Sequence, residues 1–195
     1  DHAEFTLVDA DGNHTPVHLG IPGRHNVMNA LAAATVAMRY GMAPETVARI
    51  LASQHTISPH RMALSTVNRE GTSFTLIDDS FNANPDSMKA GLNGLKAWNS
   101  NDGKEPFRVA LLGAMLELGA DETALHTSIG TYADELGIDA IIAVGSAQDQ
   151  HLDALAQALA DGARQSQSAS VDCVHDIDAA EQLVIDLARN HPDAV

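Results

Sequence analysis

The 195 residues carry 11 lysines and arginines against 26 aspartates and glutamates, a formal net charge of −15, and 45% of them are hydrophobic. The hydrophobic content can fill a globular core, whereas the excess of acid argues against nucleic acid or an anionic membrane as a partner, because both are held by clustered cations. A single cysteine excludes an intrachain disulfide, no apolar run approaches the ~20 residues that span a bilayer, and no signal peptide is recognised, so we expect a cytoplasmic protein.

Both ends of the sequence suggest a fragment of a longer protein. The chain opens at Asp1 without a methionine and begins at once with strand-like alternation. It closes at Val195, where another strand is expected to begin.

A β-hairpin is predicted near the amino terminus. The strand-like runs 5–8 and 14–19 flank the pair Asp11-Gly12, whose glycine supplies the positive φ that a tight turn needs. Pro16 places the second arm at a sheet edge or at the start of its strand.

Two helices are predicted to follow the hairpin. Apolar residues recur at helical spacing over residues 26–38, and Gly41 is expected to end this helix. Pro44 favours the first turn of a second helix over residues 45–52. The inward-facing positions of that second helix are expected to be Val47, Ile50 and Leu51.

After a domain boundary predicted near residue 56, strand-like and helix-like runs alternate. The predicted strands are 73–77, 107–112, 139–144 and 170–174, and the predicted helices are 85–97, 122–136, 149–160 and 179–190. The apolar runs lack polar alternation, which is typical of strands covered on both faces. The order predicts an α/β domain over residues 57–195, with a Rossmann-like, mostly parallel sheet and helices on both faces.

The polar stretch that follows the first of these strands has two parts. Asn84 occupies an expected helix N-cap, Pro85 the first helical position and Asp86 the first turn, so helix capping explains all three. Capping does not explain Asp78 and Asp79, which follow a strand where open α/β sheets bind ligands. A carboxylate there commonly binds the ribose hydroxyls of a nucleotide, although a simple polar turn is an equal alternative.

A second candidate site lies at the start of the first helix. Asn26 and Asn29 are three residues apart and share one helix face. A carboxamide can pair with the N6/N7 edge of adenine, whereas N-capping by His25 or Asn26 would leave Asn29 unexplained. Arg61, just after the predicted boundary, could bind a phosphate through its guanidinium, although most arginines are simply solvated.

Several common site patterns are absent from the sequence. The ten histidines form neither an H-E-x-x-H motif nor a cluster of Cys and His ligands, which favours structural or solvated histidines over a metal centre. The sequence contains neither a G-x-G-x-x-G fingerprint nor a P-loop of the form G-x-x-x-x-G-K-[ST].

Three stretches taken together resemble the Mur ligases of peptidoglycan synthesis. They are G-x-H-N-x-x-N-A-L-A-A from Gly23, D-D-S-F-N-A-N-P-D-S-M from Asp78 and L-G-x-M-L-E-L-G from Leu112. The second is most similar to the branch of the family that adds D-alanyl-D-alanine, since related ligases tend to carry D-Y-A-H-x-P there. The resemblance runs from about residue 20 to residue 145 with the motifs in family order.

The resemblance implies a domain organisation and an activity. Residues 1–56 would be the end of the central ATPase domain, and residues 57–195 most of the C-terminal Rossmann-like domain. The parent would be a monomer that uses ATP and Mg²⁺ to activate the carboxylate of UDP-N-acetylmuramoyl-tripeptide as an acyl phosphate, which the amine of D-Ala-D-Ala then attacks.

The resemblance also implies roles for individual residues. Asn29, supported by His25 and Asn26, would contact adenine, Arg61 would reach the ribose or the phosphates, and Asp79 or Asp78 would bind the ribose hydroxyls. Asn82 and Asn84 are candidates for contacts with the substrates.

Departures from the family pattern limit what the chain is expected to do. Ala114 stands where an acidic residue is usual, and His60 stands before Arg61 where a glycine is common. The P-loop, most Mg²⁺ ligands and the domain that binds the UDP-sugar are missing, so we expect this fragment to be inactive. Two alternatives to the D-alanyl-D-alanine ligase are another ligase of the Mur or folylpolyglutamate type and a Rossmann-like interaction domain without catalytic activity.

Overall fold

The structure is a computed structural model that describes residues 2–23, 26–55, 59–99, 105–166 and 169–195. It divides into two compact units, Asp1–Arg61 and Met62–Val195. The boundary predicted near residue 56 falls on residues outside the described ranges.

The first unit is a hairpin followed by two helices, as predicted. Strand β1 (His2–Val8) pairs antiparallel with β2 (His14–Pro22), and helices α1 (Asn26–Arg39) and α2 (Pro44–Ser53) follow. Its two small apolar clusters are centred on Leu7, Val17, Ala34 and Val47 and on Leu19, Ile21 and Ala30. The expectation that Ile50 faces inward is wrong, because its side chain is 38% exposed.

Hydrogen bonds between neighbouring residues stabilise the hairpin turn and the end of helix α1. In the hairpin turn, the Asp9 carboxylate accepts hydrogen bonds from the Asp11 and Asn13 amides, and Gly12 adopts a φ of 81°. The side-chain and backbone hydrogen bonds from Asn13 lower the pKa of Asp9. Helix α1 ends in a Schellman arrangement, with Gly41 at a φ of 89° and its amide bonded to a carbonyl of the last turn.

The second unit contains an antiparallel hairpin and a parallel sheet. The hairpin consists of β3 (Ala63–Arg69) and β4 (Thr72–Asp78). The sheet has the order β5-β6-β7, formed by Val109–Gly113, Ala140–Val144 and Ser170–Val174. The helices are α3 (Pro85–Ala97), α4 (Glu122–Glu135), α5 (Gln150–Ala163) and α6 (Ile177–Asn190), and a 3₁₀ turn over Gly119–Asp121 precedes α4. An α/β fold with a parallel sheet flanked by helices is therefore confirmed.

Strand β3 has no counterpart among the predicted strands. Most of its side chains are exposed and polar, so no apolar run marks it in the sequence. Because β4 pairs with β3, Asp78 and Asp79 lie at the carboxyl end of a strand of an antiparallel hairpin. The prediction that they lie at the carboxyl end of a parallel strand is wrong.

Strand β6 is the centre of the second unit. Ala140, Ile141, Ile142 and Ala143 are each at most 1% exposed, so both faces of this strand are covered. Helix α5 packs on β6 and β7, and α6 contacts β4, β6 and β7. The final residues lie between the hairpin and the sheet: the Thr75 amide donates to the Ala194 carbonyl (3.3 Å), and the Val109 amide donates to the Val195 carbonyl (2.8 Å).

Two glycines bring α4 and α5 into main-chain contact. A Cβ atom on Gly130 would lie 1.9 Å from the Leu159 carbonyl oxygen, and one on Gly162 would lie 2.1 Å from the Thr127 carbonyl oxygen. No side chain fits at either position, so glycine sets the separation of the two helices.

We expect Gly130→Ala or Gly162→Ala to lower the free energy of unfolding by about 2 kcal/mol or more, because overpacking a core contact typically costs ~1–3 kcal/mol and here the obstructing atom belongs to the main chain. Urea denaturation would measure the change. Gly113→Ala is the matched control, since an added Cβ there meets nothing within 4 Å. Equal stability of the three variants would contradict the expectation.

Candidate functional site

A cavity of about 430 Å³ lies in the second unit between β4 and β5. Its walls are formed by these two strands, by α3 and α6, and by the last two residues, Ala194 and Val195. The lining includes the carboxyl ends of the two strands and the residues after them, namely Asp78, Asp79, Ser80 and Asn82 at the end of β4 and Gly113 and Ala114 at the end of β5. Three of the predicted site residues therefore share one cavity.

The two carboxylates of this cavity have different hydrogen-bond partners. Asp78 Oδ1 accepts hydrogen bonds from the Ser80 amide (3.1 Å) and the Ser80 hydroxyl (2.7 Å), which form a turn immediately after β4. Asp79 Oδ1 accepts from the amide of Met62, which lies 17 positions earlier in the chain (3.1 Å). Asp78 therefore supports the local turn, whereas Asp79 connects β4 to the start of the second unit.

The two asparagines after β4 make local hydrogen bonds. Asn82 Oδ1 accepts from the Ala83 amide at 2.9 Å. Asn84 Oδ1 accepts from the Ser87 amide, while the Asn84 amide donates to the Ser87 hydroxyl, each at 2.9 Å. This capping box at the start of α3 confirms the predicted N-cap and uses the Asn84 carboxamide oxygen within the fold.

The other predicted site residues belong to the first unit. Asn29 Nδ2 donates to Asn26 Oδ1 at 3.2 Å, so the structure brings these two carboxamides together at the start of α1. His25 lies outside the described residues. Arg61 is the last residue of the unit and stands between His60 and Met62, whose φ angles of 61° and 46° place both in the left-handed region.

A buried histidine fixes the loop that follows β5. His126 in α4 is fully buried, and its Nε2 accepts a hydrogen bond from the amide of the equally buried Met115 at 2.8 Å. The ring Nδ1 then serves as the donor to the Glu122 carbonyl at 2.7 Å. Because Ala114 of this loop and Gly113 at the end of β5 line the cavity, His126 helps to shape its wall.

From the sequence alone, His126 is predicted only to be a structural or solvated histidine. Its position could have been found from helical periodicity, because it is buried on the same face of α4 as Ile129, Gly130 and Ala133. Its hydrogen bond to Met115 has no such signal, because it joins a helix to a loop.

Further ionisable groups lie on β7, directly after β7 and on α5. His175 Nδ1 and Asp153 Oδ1 are 2.5 Å apart. Burial, and then the charge of Asp153, raise the pKa of the half-buried Cys173 thiol. Among the described residues, no three or more His, Cys, Asp or Glu side chains are grouped so as to hold a metal ion, and no helix is long and apolar enough to cross a membrane.

Comparisons with known proteins agree on one family. The family described as "Mur ligase, glutamate ligase domain" matches residues 60–195. The chain is 43% identical over 143 residues to the UDP-N-acetylmuramoyl-tripeptide–D-alanyl-D-alanine ligase of Mycobacterium bovis, covering 73% of this chain and 27% of that protein. It is 35% identical over 142 residues to the Escherichia coli protein of the same name, covering 73% of this chain and 29% of that protein.

The fold comparison gives a similar result. A crystal structure of MurF from Acinetobacter baumannii matches with a TM-score of 0.74 and 27% sequence identity, covering 99% of this chain and 38% of that chain. The matched segment spans between a quarter and two fifths of each of these proteins.

We expect His126→Phe to lower the free energy of unfolding by about 2–4 kcal/mol, because it leaves the buried Met115 amide without its acceptor and removes the side-chain hydrogen bond to the Glu122 carbonyl. Urea denaturation would measure the loss. His151→Ala is the control, since His151 is exposed and pairs with the side chain of the same Glu122, a contact worth less than about 1 kcal/mol. Similar losses in the two variants would contradict a special role for His126.

Proposed function

The chain belongs to the Mur ligase family, and we propose that it is part of the ligase that joins D-alanyl-D-alanine to UDP-N-acetylmuramoyl-tripeptide in peptidoglycan synthesis. This proposal rests on one observation, which is that 73% of the chain can be aligned with proteins of that name. The stretch D-D-S-F-N-A-N-P, which resembles this branch of the family, supports the same choice.

We propose that the chain contains parts of two domains of the longer enzyme. Residues 1–56 are proposed to be the end of the central ATP-binding domain, and residues 57–195 the C-terminal domain. The hairpin and two helices of the first unit and the α/β fold of the second are compatible with this division.

The polar groups of each unit, taken separately, suit the nucleoside part of ATP. Carboxylates such as those of Asp78 and Asp79 can accept hydrogen bonds from ribose hydroxyls, and the carboxamides of Asn26 and Asn29 can both donate to and accept from adenine. We propose that Asn29 contacts adenine with support from Asn26 and His25. Arg61 is proposed to contact the ribose or the phosphates through its guanidinium.

The longer enzyme must supply the residues that bind the phosphates and Mg²⁺. The sequence contains no P-loop, and the described residues contain no candidate metal site, so the phosphates and Mg²⁺ would be held mainly by residues outside this chain. ATP supplies the phosphoryl group that activates the tripeptide carboxylate. The residues of this chain would bind and orient the nucleoside, and a covered site would protect the activated carboxylate from water. Asn82 and Asn84 remain candidates for contacts with the substrates.

The longer ligase is expected to release phosphate only when ATP, Mg²⁺, UDP-N-acetylmuramoyl-tripeptide and D-Ala-D-Ala are all present. Mass spectrometry of the product would identify the new amide. L-Alanine, D-glutamate and a folate with L-glutamate serve as competing substrates, with an expected preference for D-Ala-D-Ala of more than about 100-fold. A preference for another amine would assign the chain to a different ligase of the Mur or folylpolyglutamate type.

A substitution in the same enzyme distinguishes a catalytic role for this chain from a role as an interaction domain. Asn29→Ala is expected to raise the KM for ATP by about tenfold or more, because the proposed adenine contact is lost. Thr35→Ala is the control, since Thr35 is an exposed residue of the same helix whose hydroxyl donates to the Leu31 carbonyl. Unchanged ligation in Asn29→Ala would favour a non-catalytic Rossmann-like interaction domain.

The 195-residue chain alone is expected to bind ATP weakly and to catalyse no ligation, because a phosphate cradle is missing from its sequence. Calorimetric titration with ATP and Mg²⁺ would measure the affinity. A sub-micromolar dissociation constant would contradict the proposed division of labour between this chain and the rest of the enzyme.

A further inference from the structure

The start of the second unit is held by a side chain that follows β4. Met62 lies one position before the first pair of the β3–β4 ladder, which joins Ala63 to Asp78. Its amide donates to Asp79 Oδ1 at 3.1 Å. The carboxylate therefore fixes the main chain at the point where the polypeptide enters this unit.

Helix α3 provides a surface for both partners of this hydrogen bond. A Cβ on Gly91 would lie 3.2 Å from Asp79 Oδ2, and a Cβ on Gly94 would lie 2.6 Å from the Met62 Cε. Gly91 and Gly94 are three residues apart and therefore share one helix face. Glycine weakens a helix interior relative to alanine, so two glycines on the contacted face are explained by the close approach of Asp79 and Met62.

The segment that contains Met62 has an uncommon backbone conformation. His60 and Met62 have φ angles of 61° and 46°, a region that residues other than glycine rarely adopt. Such a conformation persists where the surrounding structure holds it. The Asp79 carboxylate and the glycine face of α3 both contact Met62.

We propose that Asp79 is a positioning residue that holds Met62, the residue directly after Arg61, through its hydrogen bond to the Met62 amide. Asp79 Oδ1 is engaged by the main chain, and Oδ2 faces Gly91. Loss of Asp79 therefore releases Met62 in addition to removing a carboxylate from the cavity. The importance of this hydrogen bond for Arg61 depends on the proposed function, whereas the hydrogen bond itself does not.

Hydrogen exchange in the 195-residue chain tests the contact directly. We expect the Met62 amide to be protected, and Asp79→Ala to accelerate its exchange by at least about tenfold while the amides of the β3–β4 ladder change little. Asp79→Asn keeps an oxygen acceptor at the same place and is expected to retain most of the protection. Asp86→Ala is the matched control, because Asp86 is an exposed carboxylate in the first turn of α3.

Two results would overturn the contact. One is the same Met62 exchange rate in the parent chain and in Asp79→Ala. The other is a joint acceleration of Met62 and the whole β3–β4 ladder, which would mean that Asp79 supports the hairpin instead of the segment before it.

Kinetic measurements on the longer ligase distinguish a positioning role of Asp79 from a direct contact between Asp79 and ribose. The positioning role predicts that Asp79→Ala lowers kcat/KM by the same factor with ATP, 2′-deoxy-ATP and 3′-deoxy-ATP, and that Asp79→Asn recovers most of kcat. A loss that disappears with either deoxynucleotide, without recovery by Asp79→Asn, would show action through a sugar hydroxyl and overturn the positioning role. Absence of any ligase activity in the unmodified longer protein would overturn the proposed function, while hydrogen exchange would still decide the Met62 contact.

Discussion

The second unit depends on the burial of β6 on both faces. A strand whose residues 140–143 are almost inaccessible must have helices above and below it, and parallel neighbours must then be reached through helical crossovers. Those crossovers bring the carboxyl ends of β5, β6 and β7 to the same edge. The loop after β5, anchored by His126, lies at that edge and contributes to the wall of the cavity that contains Asp78 and Asp79.

The stretch from Asp78 to Met88 performs several structural tasks within a few residues. Asp78 closes a turn through Ser80, Asp79 holds the Met62 main chain, and Asn84 caps α3 with Ser87. These tasks fix the carboxylates in place before any ligand binds. A site assembled in this way has little conformational freedom to lose on binding, which is the physical basis of preorganisation.

The sequence predicted the elements whose signals are local or periodic. Helix α3 begins and ends where expected, because Asn84 and Pro85 mark its start and its apolar spacing marks its length. Strand β3 could not be predicted in this way, since an exposed, polar strand is stabilised by pairing with β4 and carries no apolar pattern of its own. The hydrogen bonds of His126 to Met115 and of Asp79 to Met62 were also beyond prediction, because each joins segments whose proximity exists only after folding.

The main-chain contact of α4 with α5 has a consequence for how sequences of this fold can diverge. A core residue that grows can often be accommodated when a neighbouring side chain becomes smaller. A larger residue in place of Gly130 or Gly162 cannot be accommodated in this way. Each glycine faces a main-chain carbonyl oxygen, which is present whatever amino acid occupies that neighbouring position. Divergence at these positions therefore requires the two helices to move apart, so the pair can serve as fixed reference points when distant sequences of the fold are aligned.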